Sequence, residues 1–352
     1  MVWPGFAGSH CFCGVEAEID MTKKGLFWIS FLIIALLLPG CSRQPAEFQI
    51  YAMDTVMTVK LWGSGGEEAG QDLARLFQEQ EEQLSVTRPD SLTSRLNEGQ
   101  TVALTGPMQI LLQETLHLSR RTGGALDPCL YPVTKLCGFT TGHYRVPEQE
   151  ELEQALQHTG AEQLMLHGSG ACLAHGAQID LGAVGKGWAA RLAVESLAER
   201  EDITGGILSI GGNVQTYGEK PDGTPWQIGI QDPEGAGTAG MLSVTGNWAV
   251  VTSGGYQRYF VEDGVRYCHI IDPDTGMPAQ TGLASVTVVA EDGLLADGLS
   301  TALYVMGLER AAAFWRDSGD FEAVFLTEDG TVYATEGIAG QLSGCTFEVI
   351  GS

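Results

Sequence analysis

The sequence predicts an α+β fold, and three observations carry that reading. Helical periodicity is concentrated before residue 204, over 67–84, 107–122, 147–159 and 188–200. Beyond residue 204 the texture changes to short β-like runs separated by turns such as Gly211-Gly212-Asn213, Asp222-Gly223 and Asp263-Gly264. One late helical stretch, Leu294 to Met306, is set among those runs. Helices that segregate from runs of strands argue against a doubly wound parallel sheet.

In chain order, residues 1–20 match nothing downstream and read as an upstream extension from a misassigned start. Residues 21–40 read as a signal peptide: a basic head (Met21-Thr22-Lys23-Lys24), an apolar core (Gly25 to Leu38) and the ending Leu38-Pro39-Gly40 before Cys41. The apolar core is short for a membrane span. The Leu-x-Gly-Cys ending resembles a bacterial lipobox, in which Cys41 is lipidated and becomes the mature N-terminus. An ordinary N-terminal anchor helix is the alternative. Residues 41–47 form a polar tether, and 48–352 one domain.

Within that domain, Phe48 to Trp62 reads as a strand pair or one long strand. Glu67 to Leu84 places Leu73, Leu76, Phe77 and Leu84 at helical spacing, and Arg88-Pro89-Asp90-Ser91 is a turn. Pro107 to Thr122 starts on proline and stops at Gly123-Gly124, both helix signals. Ala125 to Phe139 is an irregular apolar segment. Pro147 to Thr159 is a helix with acidic residues in its first turn. Leu164 to Ile179 reads as a hairpin. Strand-like runs follow at Gly206–Ile210, Trp226–Ile230, Met241–Val244, Ala249–Thr252, Tyr256–Val261, Tyr267–Ile271 and Ser285–Ala290. Ala311–Trp315 continues as a further helix after Met306, and Glu322–Thr327 with Thr331–Ala334 reads as a closing hairpin before a final strand.

The formal charge of −25 argues against nucleic acid or an anionic membrane surface as partner. Eight cysteines show no metal-ligand spacing, and the five beyond residue 41 are odd in number and scattered. They read as small buried side chains rather than a disulfide framework.

The chain is organised around Ile179-Asp180-Leu181-Gly182-Ala183-Val184-Gly185-Lys186-Gly187. A glycine-rich turn that opens a helix presents backbone N–H groups and a positive dipole end to an anion. Lys186 adds a full charge there, and a phosphate or pyrophosphate is the natural guest. The spacing is neither a Walker loop nor a dinucleotide fingerprint, so a plain tight turn with Lys186 in water stays open. Asp297 and Thr301, four apart on a helix, share a face and offer hard oxygens suited to Mg²⁺. The plainer reading is a helix-start carboxylate and a threonine bonded to its own backbone. His269, where a strand ends, has the pKa range of a general base, although a histidine satisfied by its surroundings is the commoner case. Arg258 is suited to a phosphate or to a carboxylate, and Ser253 lacks a Ser-His-Asp context.

Taken together, Tyr51-Ala52-Met53-Asp54-Thr55, Leu84-Ser85, Asp90-Ser91, Leu96-Asn97, the 180–187 stretch, Ile210-Gly211-Gly212-Asn213, Thr252-Ser253-Gly254, His269-Ile270-Ile271-Asp272-Pro273-x-Thr275-Gly276 and Ala296-Asp297-Gly298-Leu299-Ser300-Thr301 resemble the ApbE family of FAD:protein FMN transferases. The resemblance runs from about residue 48 to the C-terminus. It implies mainly antiparallel sheets with flanking helices, and Mg²⁺-dependent cleavage of FAD. FMN passes to a Thr or Ser hydroxyl of a partner redox protein, and AMP leaves. Carried over by residue, the Ala183 carbonyl, Asp297 and Thr301 would bind the metal. Met53, Asp180, Lys186 and Ile271 would line the FAD site, with Ala125, Leu126 and Asp127 nearby, and His269 would take the acceptor proton. The implied partner is a flavin-acceptor protein, such as a redox-pump subunit or another exported flavoprotein. Family members are often exported lipoproteins, which agrees with Cys41 and implies a lipid-anchored enzyme facing the periplasm or cell exterior. The family's aromatic residue after Leu-Ser-Thr is absent at Val86-Thr87, so ring stacking at Thr87 is lost. Cys129-Leu130-Tyr131-Pro132-Val133 and Cys137-Gly138-Phe139 also depart from the family pattern. An FAD pyrophosphatase, and a lipid-anchored flavin-binding protein without chemistry, are the rival readings.

Overall fold

The structure is a computed structural model that describes residues 44–235 and 237–352. The segments read as an upstream extension and a signal peptide, and Cys41, lie outside the described residues.

The first half contains β1 (Ala46–Ala52), β2 (Thr55–Gly63), α1 (Gly66–Leu84), α2 (Leu92–Asn97), β3 (Val102–Ala103), α3 (Gly106–Arg121), α4 (Tyr131–Leu136), α5 (Gln149–Leu156), β4 (Leu164–His167), β5 (Gly170–Leu173) and α6 (Gly185–Ala198). The second half contains β6 (Ile203–Ile210), β7 (Asn213–Gly218), β8 (Trp226–Gln231), β9 (Thr238–Val244), β10 (Ala249–Gly254), β11 (Tyr259–Glu262), β12 (Val265–Cys268), β13 (Leu283–Ala290), α7 (Gly293–Ser318), β14 (Glu322–Thr327), β15 (Val332–Thr335), α8 (Glu336–Ala339), β16 (Leu342–Ser343) and β17 (Glu348–Ile350).

Nine strands form one sheet in the order β1-β2-β6-β7-β10-β13-β14-β15-β17. Its neighbours are antiparallel except β15 and β17, so the fold is α+β. Side chains alternate across a strand, and the core follows that period. Val288 packs with Leu299 and Leu303 of α7, whereas the next residue, Val289, packs with Trp226, Ile228 and Leu242 of the β8–β9 pair. A strand covered on both faces is buried along its length, as β13 is from Ser285 to Ala290, the polar Ser285 and Thr287 included. At the other end of the sheet, Leu73 and Phe77 of α1 and Ala189, Ala193 and Leu197 of α6 pack with Met57, Val59 and Leu208.

Several elements differ from the sequence expectation. The short helices α2 and α4 give too few turns for a periodic signal, and α2 is started by Ser91, whose side chain accepts from Ser94 N. β7 begins directly after the Gly211-Gly212 turn, and β1 takes in the last two residues of the expected tether. The hairpin expected to reach Ile179 ends at Leu173, so no strand leads into the glycine-rich turn. β12 ends at Cys268, which leaves His269 outside the ladder. The two late helices form one span broken at Gly307, whose φ of 73° and ψ of 168° suit glycine alone.

Candidate active site

α6 begins in a tight turn, with Val184 N and Gly185 N both donating to the Leu181 carbonyl at 3.1 and 2.7 Å. The first N–H groups of a helix have no partner inside it. Gly187 N–H finds one in a distant helix: it donates to Asp297 Oδ2 at 2.7 Å. The helices must approach closely for this. A Cβ on Gly187 would fall 2.1 Å from the Gly293 carbonyl oxygen, and one on Gly293 would fall 2.5 Å from that of Gly187. Arg191 locks the same pair together, donating to Asp292 at 2.5 and 2.7 Å and to Glu114 at 2.6 Å. Asp292 is also the N-cap of α7, accepting from Leu295 N at 2.7 Å.

One turn after Asp297, the Thr301 hydroxyl lies 3.3 Å from Ser253 Oγ, which is 2.7 Å from Ser300 Oγ. Ser300 bonds back to the Asp297 carbonyl at 2.8 Å. It is therefore Ser300, not Thr301, that is bonded to its own helix. Burial pushes the Asp297 carboxyl above its usual range, against the opposing pull of Lys186, the Gly187 N–H and Asn213. Asn213 is itself buried, and its amide nitrogen has no well-aligned partner. No cluster of three or more His, Cys, Asp or Glu suited to a metal occurs among the described residues. The donor set of one buried carboxylate, one hydroxyl and a half-buried turn at Ala183 consists of oxygens alone. It fits a hard cation such as Mg²⁺.

Asp180 is fixed on the other side of the turn. Its Oδ1 accepts from Gly182 N at 2.8 Å and its own N–H donates to the Pro128 carbonyl at 2.9 Å. Asn97 clamps the preceding residue, exchanging bonds of 2.9 and 2.7 Å with the Ile179 backbone. Burial raises the Asp180 carboxyl, while Gly182 N–H, Arg258 and Lys186 oppose the rise.

His269 N–H and Nδ1 both meet the Arg258 carbonyl, at 3.0 and 3.2 Å. A carbonyl only accepts, so Nδ1 carries the proton and Nε2 keeps a free lone pair. Burial, then the Arg258 charge, lower the His269 pKa to about 4, with a further contribution from Lys186. The imidazole is neutral at neutral pH. Arg258 itself donates to the Phe139 carbonyl at 2.9 Å rather than to a carboxylate. The Lys186 charge is thus felt at Asp180, Asp297 and His269 together, which draws four separated sequence candidates into one neighbourhood.

Met53 joins them. It sits in the two-residue turn of the β1–β2 hairpin at φ 53°, beside Asp54 at φ 57°, the pattern of a type I′ turn. Met53 N donates to Glu81 at 3.1 Å, and a Cβ on Gly185 would lie 3.4 Å from Met53 Cε. The remaining candidates are placed differently. The Ala125, Leu126 and Ile271 side chains are buried in core clusters, so only their backbones can meet a ligand. Asp127 spends both carboxylate oxygens on Cys129 N and Gly160 N, each at 2.8 Å. It shapes a cavity of about 550 Å³ bounded by Arg120, Thr159, Glu162, Pro273 and Asp274. Sequence reasoning assigned no role to Asn213, Ser253 or Asn97, although each lies in a motif it singled out. Nothing local marks Glu81, which sits on an exposed helix face until β1–β2 folds over it.

This arrangement can hold a phosphate group beside a fixed cation and take a proton next to it, which is the equipment of a phosphoryl-transferring enzyme. The ApbE family model matches residues 53–325, and the chain belongs to that family. It is 34% identical over 303 residues to an FAD:protein FMN transferase of Vibrio cholerae, covering 81% of this chain and 89% of that one. A Treponema pallidum protein of the same name is 34% identical over 77% of this chain and 80% of its own. Among solved structures, the ApbE protein of Thermotoga maritima superposes with a TM-score of 0.80 at 31% identity, covering 85% of this chain and 99% of that one. The flavinyl transferase ApbE of Pseudomonas stutzeri gives 0.75 at 31% identity, with 85% and 97% covered.

Proposed function

We propose that this chain is an FAD:protein FMN transferase. It moves FMN from FAD to a Thr or Ser hydroxyl of a partner protein and releases AMP. The observation that carries the reading is the common action of Lys186 on Asp180, Asp297 and the neutral His269. The bond formed joins the acceptor oxygen to the FMN phosphorus, and the bond broken is the P–O bond to AMP. His269 Nε2 takes the hydroxyl proton, because an unassisted threonine is a poor nucleophile. Lys186 and the α6 N-terminus offset the charge that gathers on the phosphates. Asp297, Thr301 and the Ala183 carbonyl would hold Mg²⁺, which would supply further charge neutralisation at the pyrophosphate. Met53, Asp180 and Lys186, with the backbones of 125–127 and Ile271, line the FAD site.

Incubation with FAD, Mg²⁺ and the flavin-accepting domain of a redox-pump subunit should add the mass of one FMN to that domain, with AMP released. Free FMN and AMP beside an unmodified acceptor, across several acceptors, would favour an FAD pyrophosphatase. No AMP at all would favour a flavin-binding protein without chemistry.

We further propose that Cys41 anchors the enzyme outside the bacterial cell membrane through lipid. The support is the Leu38-Pro39-Gly40-Cys41 ending behind a basic, apolar leader. No helix among the described residues is long and apolar enough to cross a membrane. In a bacterial host, Cys41→Ser should abolish lipid labelling and release the protein from the membrane fraction. Labelling that survives the substitution rules the anchor out.

A further inference from the structure

Strands β11 and β12 form a sheet of their own. A lone hairpin is marginal in water, and this one is held mainly from one side, its other face reaching the core only at Cys268, opposite Tyr259. Phe260 and Tyr267 stack at 5.1 Å on its inner face, and Tyr144 and Phe139 pack on Phe260 at 5.4 and 5.7 Å. The opposite face carries Tyr259, Val261 and Arg266, because strand side chains alternate and Val261 pairs with Arg266. Tyr259 is 42% and Val261 60% exposed. Val265 and Tyr144, on the inner face, are exposed as well, so this small region presents half of the large apolar side chains that the described residues expose. Arg266 lies over the Tyr259 ring at 4.6 Å and belongs to none of the salt bridges among the described residues. On a chain of net charge −25, such a cation marks where a carboxylate can approach. Beyond their mutual ladder, neither strand makes a backbone hydrogen bond along 259–262 or 265–268 among the described residues. The residue that follows β12 is His269.

We propose that the outer face and free edge of the β11–β12 hairpin receive the flavin-accepting segment of the partner protein. The segment is an extended stretch with an apolar side chain for Tyr259 and Val261 and a carboxylate for Arg266. This rests on the transferase reading and gives its partner a landing place. Strand addition supplies backbone hydrogen bonds, and the alternate side chains set the register. A segment gripped beside β12 runs on toward His269, which converts a dilute hydroxyl into a positioned one.

The test measures binding without turnover. The labelled flavin-accepting domain of a redox-pump subunit is titrated against the full enzyme in the absence of FAD. AMP release from FAD in the absence of acceptor is measured in parallel. Val261→Asp and Arg266→Glu should each weaken acceptor binding about tenfold or more, while AMP release and thermal midpoint stay at the wild-type values. Val349→Asp, an exposed apolar position on β17 at the far edge of the large sheet, should change neither. Unaltered acceptor binding in both hairpin variants overturns the docking surface, as does a parallel fall in AMP release. Intact, hairpin-dependent binding without FMN transfer supports the docking surface and defeats the transferase reading alone.

Discussion

His269→Ala should slow FMN transfer by about 10²–10⁴-fold, the range for loss of a positioned general base, while FAD still binds. Nδ1 is committed to the Arg258 carbonyl, so Nε2 is the nitrogen left to take a proton. Burial and the Arg258 and Lys186 charges hold the ring neutral down to about pH 4. The sign of the pH effect follows. A base works only unprotonated, so the acid limb of the transfer rate should fall through about pH 4 and be absent from the alanine variant. In the unfolded chain the same histidine takes its proton near the ordinary value of 6.5. The unfolded state therefore binds more protons between the two values, and this group's share of stability is lost as pH falls from 6.5 toward 4. Single-turnover transfer across and below that range measures the rate limb, and the thermal midpoint across it measures the loss of stability. A variant that transfers at the wild-type rate removes His269 from the mechanism.

Asp297→Asn should cost about 10²–10³-fold in FAD cleavage, comparable to removing one preorganised electrostatic partner of a transition state. The substitution nearly preserves shape, and its amide oxygen can still accept from Gly187 N–H. The junction of α6 and α7 should stay closed and unfolding should remain cooperative. What goes is the negative charge, and with it the strongest oxygen donor for a divalent cation. Mg²⁺ and Mn²⁺ should raise the melting temperature of the wild-type protein and leave that of the variant unmoved, since only a ligand that binds the folded state stabilises it. Wild-type turnover with unchanged metal dependence would show that Asp297 is no ligand.

Long periodic segments were legible in the sequence because burial repeats with the element. α1, α3 and the two arms of α7 show it, and so do the alternating runs of the large sheet. The glycine-rich turn at 182–187 and the Asp297/Thr301 pair were legible because their chemistry is local. Other features depend on what folds against them. Leu92–Asn97 is helical because Ser91 caps it and Asn97 clamps Ile179. His269 stands just past the last paired residue of β12, where its N–H continues the hairpin register to the Arg258 carbonyl and its Nδ1 meets the same oxygen. Asp127 looked like a ligand contact, yet its carboxylate goes to two backbone N–H groups, one of them 33 positions away. Ile271 kept its place beside the histidine but gave its side chain to the core. The partners of Asn97 and Asp127 lie 82 and 33 positions away, beyond the reach of any local pattern.

The bond from Gly187 to Asp297 joins positions 110 apart, and that separation orders events during synthesis. The N-terminal half of a chain emerges first, so α6 is made long before the carboxylate that caps it. Until α7 arrives, Lys186 stands beside an uncapped helix start with no counter-charge from Asp297. A chain that ends before Asp297 therefore lacks this bond even where its first sheet strands have formed. If Asp297 serves turnover as proposed, activity should appear only once α7 has docked against α6.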